Sequence, residues 1–240
     1  MRAVVTGASG GIGGAVVNRL VSHGWDVIAH DIRPPDTEKA NGAHVVGGDL
    51  TSPEGLEALR SEMGQDGVDC VVAAHGVEGA DAIPMVTPER TRRIVELNFL
   101  TVVRLFEAAE AHLLRTEGTF VAIASQAGLL GEANNAAYCA SKFAVVGWIR
   151  ELAREYVPRG VKLHAICPGC VDTPLLEGAL VGMARGAGVT LEEMTARRRN
   201  SIPVGRFAAP SEIAALIEHV ISLRGGGGLI TPITGGEVLW

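Results

Sequence analysis

AVVTGASGGIGGAVV, residues 3–17, is an apolar strand that runs through a glycine-rich turn directly into a helix. Residues 3–6 are the strand and 12–22 the helix, with Gly7-Ala8-Ser9-Gly10-Gly11 between them. Glycine suits this turn because the chain doubles back tightly, and a Cβ would hold a ligand away from the backbone. The helix that follows opens with free N–H groups and the positive end of its dipole, the chemistry that holds a pyrophosphate. A glycine-rich turn alone says little, but between a strand and a helix it marks a dinucleotide site. Gly7, Ser9, Gly10, Gly11, Ile12 and Gly13 are therefore the first candidate cofactor-binding residues.

Asp31 closes the next strand, 24 positions after Gly7. A carboxylate there accepts hydrogen bonds from both hydroxyls of a ribose and repels a 2′-phosphate, so NAD is expected in preference to NADP. Two features pull the other way. Arg33 puts a guanidinium within reach of a 2′-phosphate, and an aspartate at a strand end also serves as a plain turn cap.

The same rhythm of strand and helix runs along the rest of the chain. Apolar runs at 3–6, 26–30, 44–46, 70–74, 119–124, 162–167 and 229–233 are mostly continuous, as parallel strands covered on both faces are. Helical patterns occupy 12–22, 53–63, 88–115, 136–156 and 211–223. The expected fold is α/β: a doubly wound, mostly parallel seven-stranded sheet of the Rossmann type with helices on both faces. No linker or repeat divides it, and residues 1–240 read as one domain. The largest departure is 172–207, a helical excursion whose length and apolar residues (Leu175, Leu176, Leu180, Val181, Met183) mark it as a substrate lid. Its charged end, Arg197-Arg198-Arg199, reads as a solvated helix face, with contact to an acidic carrier or a phosphate as the competing use.

Composition narrows the function. Of the 240 residues, 47% are apolar and 31 are glycine, which describes a globular chain with a sizeable core. A formal charge of −6 argues against nucleic acid, whose phosphates call for a basic stripe. No apolar run approaches the ~20 residues that span a bilayer, so no membrane partner is expected. Residue 1 leads straight into a strand without a signal peptide, and the expected location is cytoplasmic. Four cysteines imply no disulfide scaffold. Cys167-Pro-Gly-Cys170 has metal or redox spacing, but no second ligand pair completes a zinc site, and Cys167 ends a strand rather than opening a helix. No metal is expected, and the pair reads as two small residues beside a turn.

AAYCASKFAVVGW, residues 136–148, places Tyr138 and Lys142 four positions apart on a helix, and so on one face. A free phenol, with a pKa near ~10, is a poor base at neutral pH. A fixed ammonium beside it stabilises the phenolate. Lowering the pKa by about three units takes about 4 kcal/mol, within reach of a partly desolvated site.

This pair, the G-x-x-x-G-x-G turn after Thr6, and Ser125 thirteen residues before Tyr138 together resemble the short-chain dehydrogenase/reductase family, over nearly the whole chain. The resemblance implies an oxidoreductase that moves a hydride between NAD(H) and a small secondary alcohol or ketone. In it Tyr138 would be the general acid/base and Ser125 would bond the same substrate oxygen. Lys142 would hold the nicotinamide ribose, and Asn98 would hold a water that relays the proton. Asp49 and Leu50 resemble the family's adenine contacts, and Ala74 and Gly76 fall where its N-N-A-G meets the adenosine. Pro168, Gly169, Val171 and Thr173 match its P-G-x-x-x-T turn, which would hold the nicotinamide carboxamide. A homotetramer, or a homodimer, built through the long helices and the last strand is also implied.

Two departures stand out. Ala73-Ala74-His75-Gly76 lacks both asparagines of N-N-A-G, with His75 read as a residue accommodated at a strand end. Thr234 stands where the family's last motif has an acid. The apolar lid suggests an apolar body next to the reacting carbon. Two other readings compete: a 3-oxoacyl thioester reductase whose lid arginines meet a phosphopantetheine carrier, and a dinucleotide-sensing or scaffold protein without turnover.

Overall fold

Val4, Val5, Val71, Val72, Phe120, Val121, Leu163 and Ile166 are wholly buried, and in each strand consecutive residues face opposite sides of one sheet. A computed structural model describes residues 1–36, 40–65, 67–78 and 87–239. The strands are β1 (Arg2–Thr6), β2 (Asp26–Asp31), β3 (His44–Gly47), β4 (Cys70–Ala73), β5 (Thr119–Ile123), β6 (Lys162–Pro168) and β7 (Ile230–Ile233). They form a seven-stranded sheet in the order β3-β2-β1-β4-β5-β6-β7, and every neighbouring pair is parallel. The sheet is thus the expected doubly wound one, and fully parallel.

The helices among the described residues are α1 (Gly11–Ser22), α2 (Pro53–Met63), α3 (Pro88–Val95), α4 (Thr101–Thr116), α5 (Ala136–Tyr156), α6 (Pro174–Ala187), α7 (Leu191–Ser201) and α8 (Pro210–Ser222). Val16, Val17 and Leu20 of α1 pack with Ile213 and Ile217 of α8 on the sheet face that carries Val5, Val27 and Val72. Leu59 and Met63 of α2, Leu105 and Phe106 of α4, and Ile149 of α5 cover the other face, over Val4, Ile28 and Val71. Each such side chain contributes about 1.5–3 kcal/mol by leaving water. Several helices start on sequence-legible caps: Ser52 accepts from the Gly55 N–H at 3.0 Å, and Thr87 from the Arg90 N–H at 3.2 Å, each with proline next in the chain.

One element departs from expectation. The pattern over 88–115 predicts a single helix, but α3 and α4 are joined by a π turn at Glu96–Leu100. Neither proline nor glycine marks it. Its cause is tertiary, because Asn98 is fully buried and its amide is bonded to the backbone at Val77.

The order reverses at β1, whose neighbours are β2 and β4, and this opens a crevice at the carboxyl ends of the strands. The excursion over 172–207 rises beside it as α6 and α7. Its base is closed where the Asp172 N–H donates to the Ala208 carbonyl at 2.9 Å and the Ala208 N–H to the Cys170 carbonyl at 2.9 Å. Leu180, Ile202 and Phe207 give it a small core of its own. The expectation of three solvated arginines is corrected for Arg198, which is half-buried and pairs with Glu237 through bonds of 2.6 and 2.9 Å; Arg199 is exposed and lies 5.1 Å over the Phe207 ring. Only Arg197 keeps the expected exposure without such a contact among the described residues. Thr234, in place of the acid, closes the turn after β7 by accepting from the Val238 N–H at 3.1 Å.

Candidate active site

The glycine-rich turn is built by contacts that leave no space for side chains. Gly7 has φ +69°, and a Cβ there would lie 2.7 Å from the backbone of Ala74 and His75, so the end of β1 presses against the end of β4. A Cβ on Gly13 would meet the Gly7 carbonyl oxygen at 2.1 Å, and one on Gly11 would meet Thr173 Cγ2 at 2.4 Å. The turn therefore touches both the switch point and the start of α6. Gly10 caps α1 without a side-chain hydrogen bond, and no acid stands in the first turn. The N–H groups of Gly11, Ile12 and Gly13 consequently have no side-chain partner at the start of α1, and the helix dipole behind them favours an anion there.

Asp31 is tied to this turn. Its carboxylate accepts from the Ser9 N–H at 3.1 Å and the Arg33 N–H at 3.0 Å, while the Ser9 hydroxyl donates to the Arg33 carbonyl at 2.6 Å. Asp49 is exposed and caps its own turn, accepting from the N–H and hydroxyl of Thr51; those bonds hold its carboxyl below the usual carboxylate range. Leu50 is 6% exposed and packs in the core, so most of its surface is spent on the fold. The cradle, with its positive helix end and a carboxylate at the end of β2, fits a nicotinamide dinucleotide.

Beyond the turn lies a cleft of about 190 Å³. Ile12, Ala74, Gly76, Ser125, Tyr138, Lys142, Pro168, Gly169, Val171 and Thr173 all line it, so ten predicted residues from five separated stretches of chain converge. The Ser125 hydroxyl bonds the phenol of Tyr138 and accepts from the Ala127 N–H at 3.1 Å. Lys142 is 4% exposed and donates to the Ile123 carbonyl at 2.9 Å, with Nζ 5.6 Å from the centre of the Tyr138 ring.

Here the charges depart from expectation. Burial pushes the Tyr138 phenol up to about 12, against a smaller opposing effect of the Ser125 bond, and burial pulls Lys142 down to about 8. The lysine is not among the groups that lower the phenol, because its ammonium is turned to the end of β5. At neutral pH the phenol of the protein alone is a proton donor.

Asn98 does not line the cleft but braces it. Its Oδ1 accepts from the Val77 N–H at 2.8 Å, and its Nδ2 donates to the Val77 carbonyl at 3.0 Å and to Ser141 Oγ at 3.2 Å. Ser141 in turn donates to the Tyr138 carbonyl at 2.7 Å. The π turn is thereby locked to both α5 and the segment after β4.

His75 is more than accommodated. Thr101 gives its hydroxyl proton to the Leu97 carbonyl at 2.7 Å, so it accepts from His75 Nε2 at 2.8 Å, and Nδ1 accepts from the Thr6 hydroxyl at 2.6 Å. A neutral imidazole thus links β1, β4 and α4, the bracing that the missing asparagines would otherwise supply. Burial, with the charge of Lys142 and the proximity of His30, holds His75 down at about 3.

His164 is likewise held at about 4 by burial and Lys162, and burial outweighs Asp31 in lowering His30. All three are neutral when folded and take up a proton near the ordinary histidine pKa when unfolded. Stability is therefore full above pH ~6.5 and falls as the pH drops toward 4, each histidine adding up to about 1.4 kcal/mol per pH unit. Urea midpoints measured at pH 7.5, 6 and 5 should decrease steadily, and a flat profile would show that these rings are accessible to protons.

Sequence reasoning missed one wall of the cleft: Glu78 beside β4, and Gln126, Glu132 and Asn135 in the connection from β5 to α5. The adjacency of Gln126 to Ser125 and of Asn135 to α5 was the only signal. Cys170 also lines the cleft, whereas Cys167 is buried in β6. Burial pushes both thiols up to about 11, the opposite of a reactive thiolate.

Comparison with known proteins agrees with this geometry. The family model for short chain dehydrogenase matches residues 1–181. L-fucose dehydrogenase of Mus musculus is 32% identical over 219 residues, covering 88% of this chain and 78% of that protein. D-beta-hydroxybutyrate dehydrogenase of Cupriavidus necator is 30% identical over 230 residues, covering 89% and 88%. The solved structure of a variant actinorhodin polyketide ketoreductase with NADPH has a TM-score of 0.90 at 28% identity, covering 98% of this chain and 96% of that one. With its sheet order, its glycine-rich turn and its Ser125, Tyr138 and Lys142 in one cleft, the chain belongs to the short-chain dehydrogenase family, oxidoreductases that bind a nicotinamide dinucleotide and act on CH–OH or keto groups.

Proposed function

We propose that the protein interconverts a small secondary alcohol and its ketone with NAD(H), using Tyr138 as the general acid/base. The observation that carries this reading is the shared cleft, in which the Tyr138 phenol, the Ser125 hydroxyl and buried Lys142 lie beside the Pro168–Thr173 turn. Gly7 to Gly13, Asp31, Ala74, Gly76, Pro168, Gly169, Val171 and Thr173 hold the dinucleotide, with Asp49 and Leu50 at its adenine end. When bound, it takes or supplies the hydride at the carbinol carbon and, when oxidised, brings a positive charge.

The chain's own residues manage the proton. Tyr138 gives its phenolic proton to a ketone oxygen in reduction, and its phenolate takes the hydroxyl proton in oxidation. Ser125 bonds the same oxygen and stabilises the charge that develops on it. Lys142 holds the cofactor ribose and lowers the phenol once its ammonium faces it. Asn98 acts by position, fixing the backbone at Val77 and, through Ser141, the turn of α5 that carries Tyr138.

NAD is the preferred form, on the strength of Asp31. Its charge, anchored at the mouth of the phosphate turn, accepts ribose hydroxyls and repels a 2′-phosphate. Unaltered protein should bind NADH at least tenfold more tightly than NADPH, a difference of about 1.4 kcal/mol, and Asp31→Ala should shrink or reverse the ratio. Equal affinities in the unaltered protein would remove the assignment. Fluorescence titration reads both.

A 3-oxoacyl thioester would use the same chemistry, but Arg198 is paired with Glu237 and Arg199 lies over the Phe207 ring, which leaves Arg197 for an acidic carrier. The excursion over 172–207 acts as the substrate lid of a single domain spanning 1–240. Exposed Leu100 and Phe143, on the π turn and α5, fit a homotetramer built on these helices, and the proposed location is the cytoplasm.

A further inference from the structure

The connection from Ser125 to Tyr138 turns the chain from the end of β5 into α5 with little regular structure. It opens with a short 3₁₀ turn at Gln126–Gly128. From Gly131 to Asn135 no backbone N–H pairs with a backbone carbonyl among the described residues. Side chains order it instead, around one half-buried carboxylate. Gln126 Nε2 donates to Glu132 Oε1 at 3.0 Å, and Asn135 Nδ2 donates to Glu132 Oε2 at 3.0 Å. The Glu132 N–H donates to Cys139 Sγ at 3.4 Å, one residue past Tyr138. Bonds to an ionised carboxylate are roughly twice as strong as those between neutral groups.

Each partner of this carboxylate adjoins a reacting group. Gln126 follows Ser125, whose hydroxyl bonds the Tyr138 phenol. Asn135 stands at the N-cap of α5, but its side chain bonds Glu132 and caps nothing. Gln126 is 5% exposed, and its Oε1 lies 2.9 Å from where a Cβ on Gly169 would stand, so it also presses on the Pro168–Thr173 turn. Arg198, whose charge Glu132 feels, is paired with Glu237 instead, and the carboxylate is left to the two amides.

We infer that Glu132 is a positioning residue of the reaction: its carboxylate straps the segment that carries Ser125 to the turn of α5 that carries Tyr138, and so holds the Ser125 hydroxyl on the phenol oxygen. This inference rests on the dehydrogenase reading of the cleft and adds a residue to it. Glu132 in this role acts through Ser125 and not on the substrate. The two hydroxyls must meet the same substrate oxygen, and a misplacement of about 1 Å costs up to about 10² in rate.

The experiment follows turnover with NAD⁺ and the best alcohol of a panel of cyclic, acyl and sugar alcohols, in Glu132→Gln, Ser125→Ala and the double variant. Glu132→Gln keeps the size of the side chain but sets an NH₂ against one of the two amides. It should lower kcat at least tenfold, with the KM for the alcohol and the Kd for NADH each within threefold. On the Ser125→Ala background, itself slower by about 10²–10³, the same change should alter kcat less than threefold, because no hydroxyl is left to place. A kcat within threefold of the parent in folded Glu132→Gln overturns the inference. So does an equal loss on both backgrounds, since a charge effect on the phenol or a weakened fold would persist without Ser125. A raised KM at unchanged kcat also overturns it, by making Glu132 a substrate contact. Thermal scans establish folding. If Glu132→Gln does not fold, Gln126→Met and Asn135→Leu each remove one bond of the strap and should lower kcat at least threefold; an unchanged kcat in both decides against it. If the parent binds NADH and oxidises no alcohol of the panel, the dehydrogenase reading falls, and this inference with it.

Discussion

Replacing Tyr138 by phenylalanine should lower kcat by about 10²–10⁴, the range by which a positioned proton donor accelerates such a step. The substitution removes one oxygen and keeps the ring, so the packing of α5 is preserved. Dinucleotide affinity should stay within threefold, because the phosphate turn and the Pro168–Thr173 turn are untouched. Burial holds the phenol at about 12, so the unaltered protein carries this proton ready at neutral pH for ketone reduction. The measurement is steady-state turnover of a substrate in both directions, with NADH titration alongside. A variant that binds and turns over like the parent would transfer the proton step to another group and revive the non-catalytic reading.

The parts of this site that were legible in the sequence are those set by local geometry. Tyr138 and Lys142 share a helix face because they are four residues apart, and the glycines follow an apolar strand and open a helix. Strands such as Lys162–Pro168 show as apolar runs because both faces of the sheet are covered. What was illegible is contact between distant positions in irregular backbone. Thr6, His75 and Thr101 meet only after the sheet forms. Arg198 finds Glu237 across a whole helix and strand, so a charge run that looks solvated in sequence is half spent on a tertiary pair. Gln126, Glu132 and Asn135 sit in a connection with no periodicity, where each residue type has an ordinary use as a cap or turn. The π turn was hidden for a different reason: apolar residues continue across it, and the burial of Asn98 that shapes it is invisible to a helical pattern.

Gly13→Ala should be among the most damaging single-methyl changes at the described residues. The added Cβ would stand 2.1 Å from the Gly7 carbonyl oxygen and 2.7 Å from its carbon, both backbone atoms that cannot swing aside. Either α1 lifts off β1 or the phosphate turn opens. Overpacking costs about 1–3 kcal/mol where side chains can adjust, and here the upper end applies. For a chain of this length that lowers Tm by about 6–12 °C. Affinity for NADH should fall at least a hundredfold, since the N–H groups that face the phosphates move with the helix. Gly147→Ala provides the contrast: exposed within α5, with nothing within 4 Å of its Cβ, it should gain about 0.5–1 kcal/mol. Thermal scans and NADH titration of the two variants test the pair, and equal behaviour would mean that α1 does not approach β1 as closely as described.

The π turn at Glu96–Leu100 has a consequence for how this chain tolerates change. A π turn holds one residue more than an α-helix of the same length, so the stretch from α3 to α4 carries a surplus of one. Substituting a residue there alters one contact. Deleting one lets the helix revert to regular winding with α3 and α4 still in register, because the turn had absorbed the surplus residue. The bulge that presents Asn98 to Val77 would be gone, and the brace behind Lys142 and Tyr138 with it. The segment is thus one residue longer than a continuous helix needs, and that spare residue serves the site and not the helix.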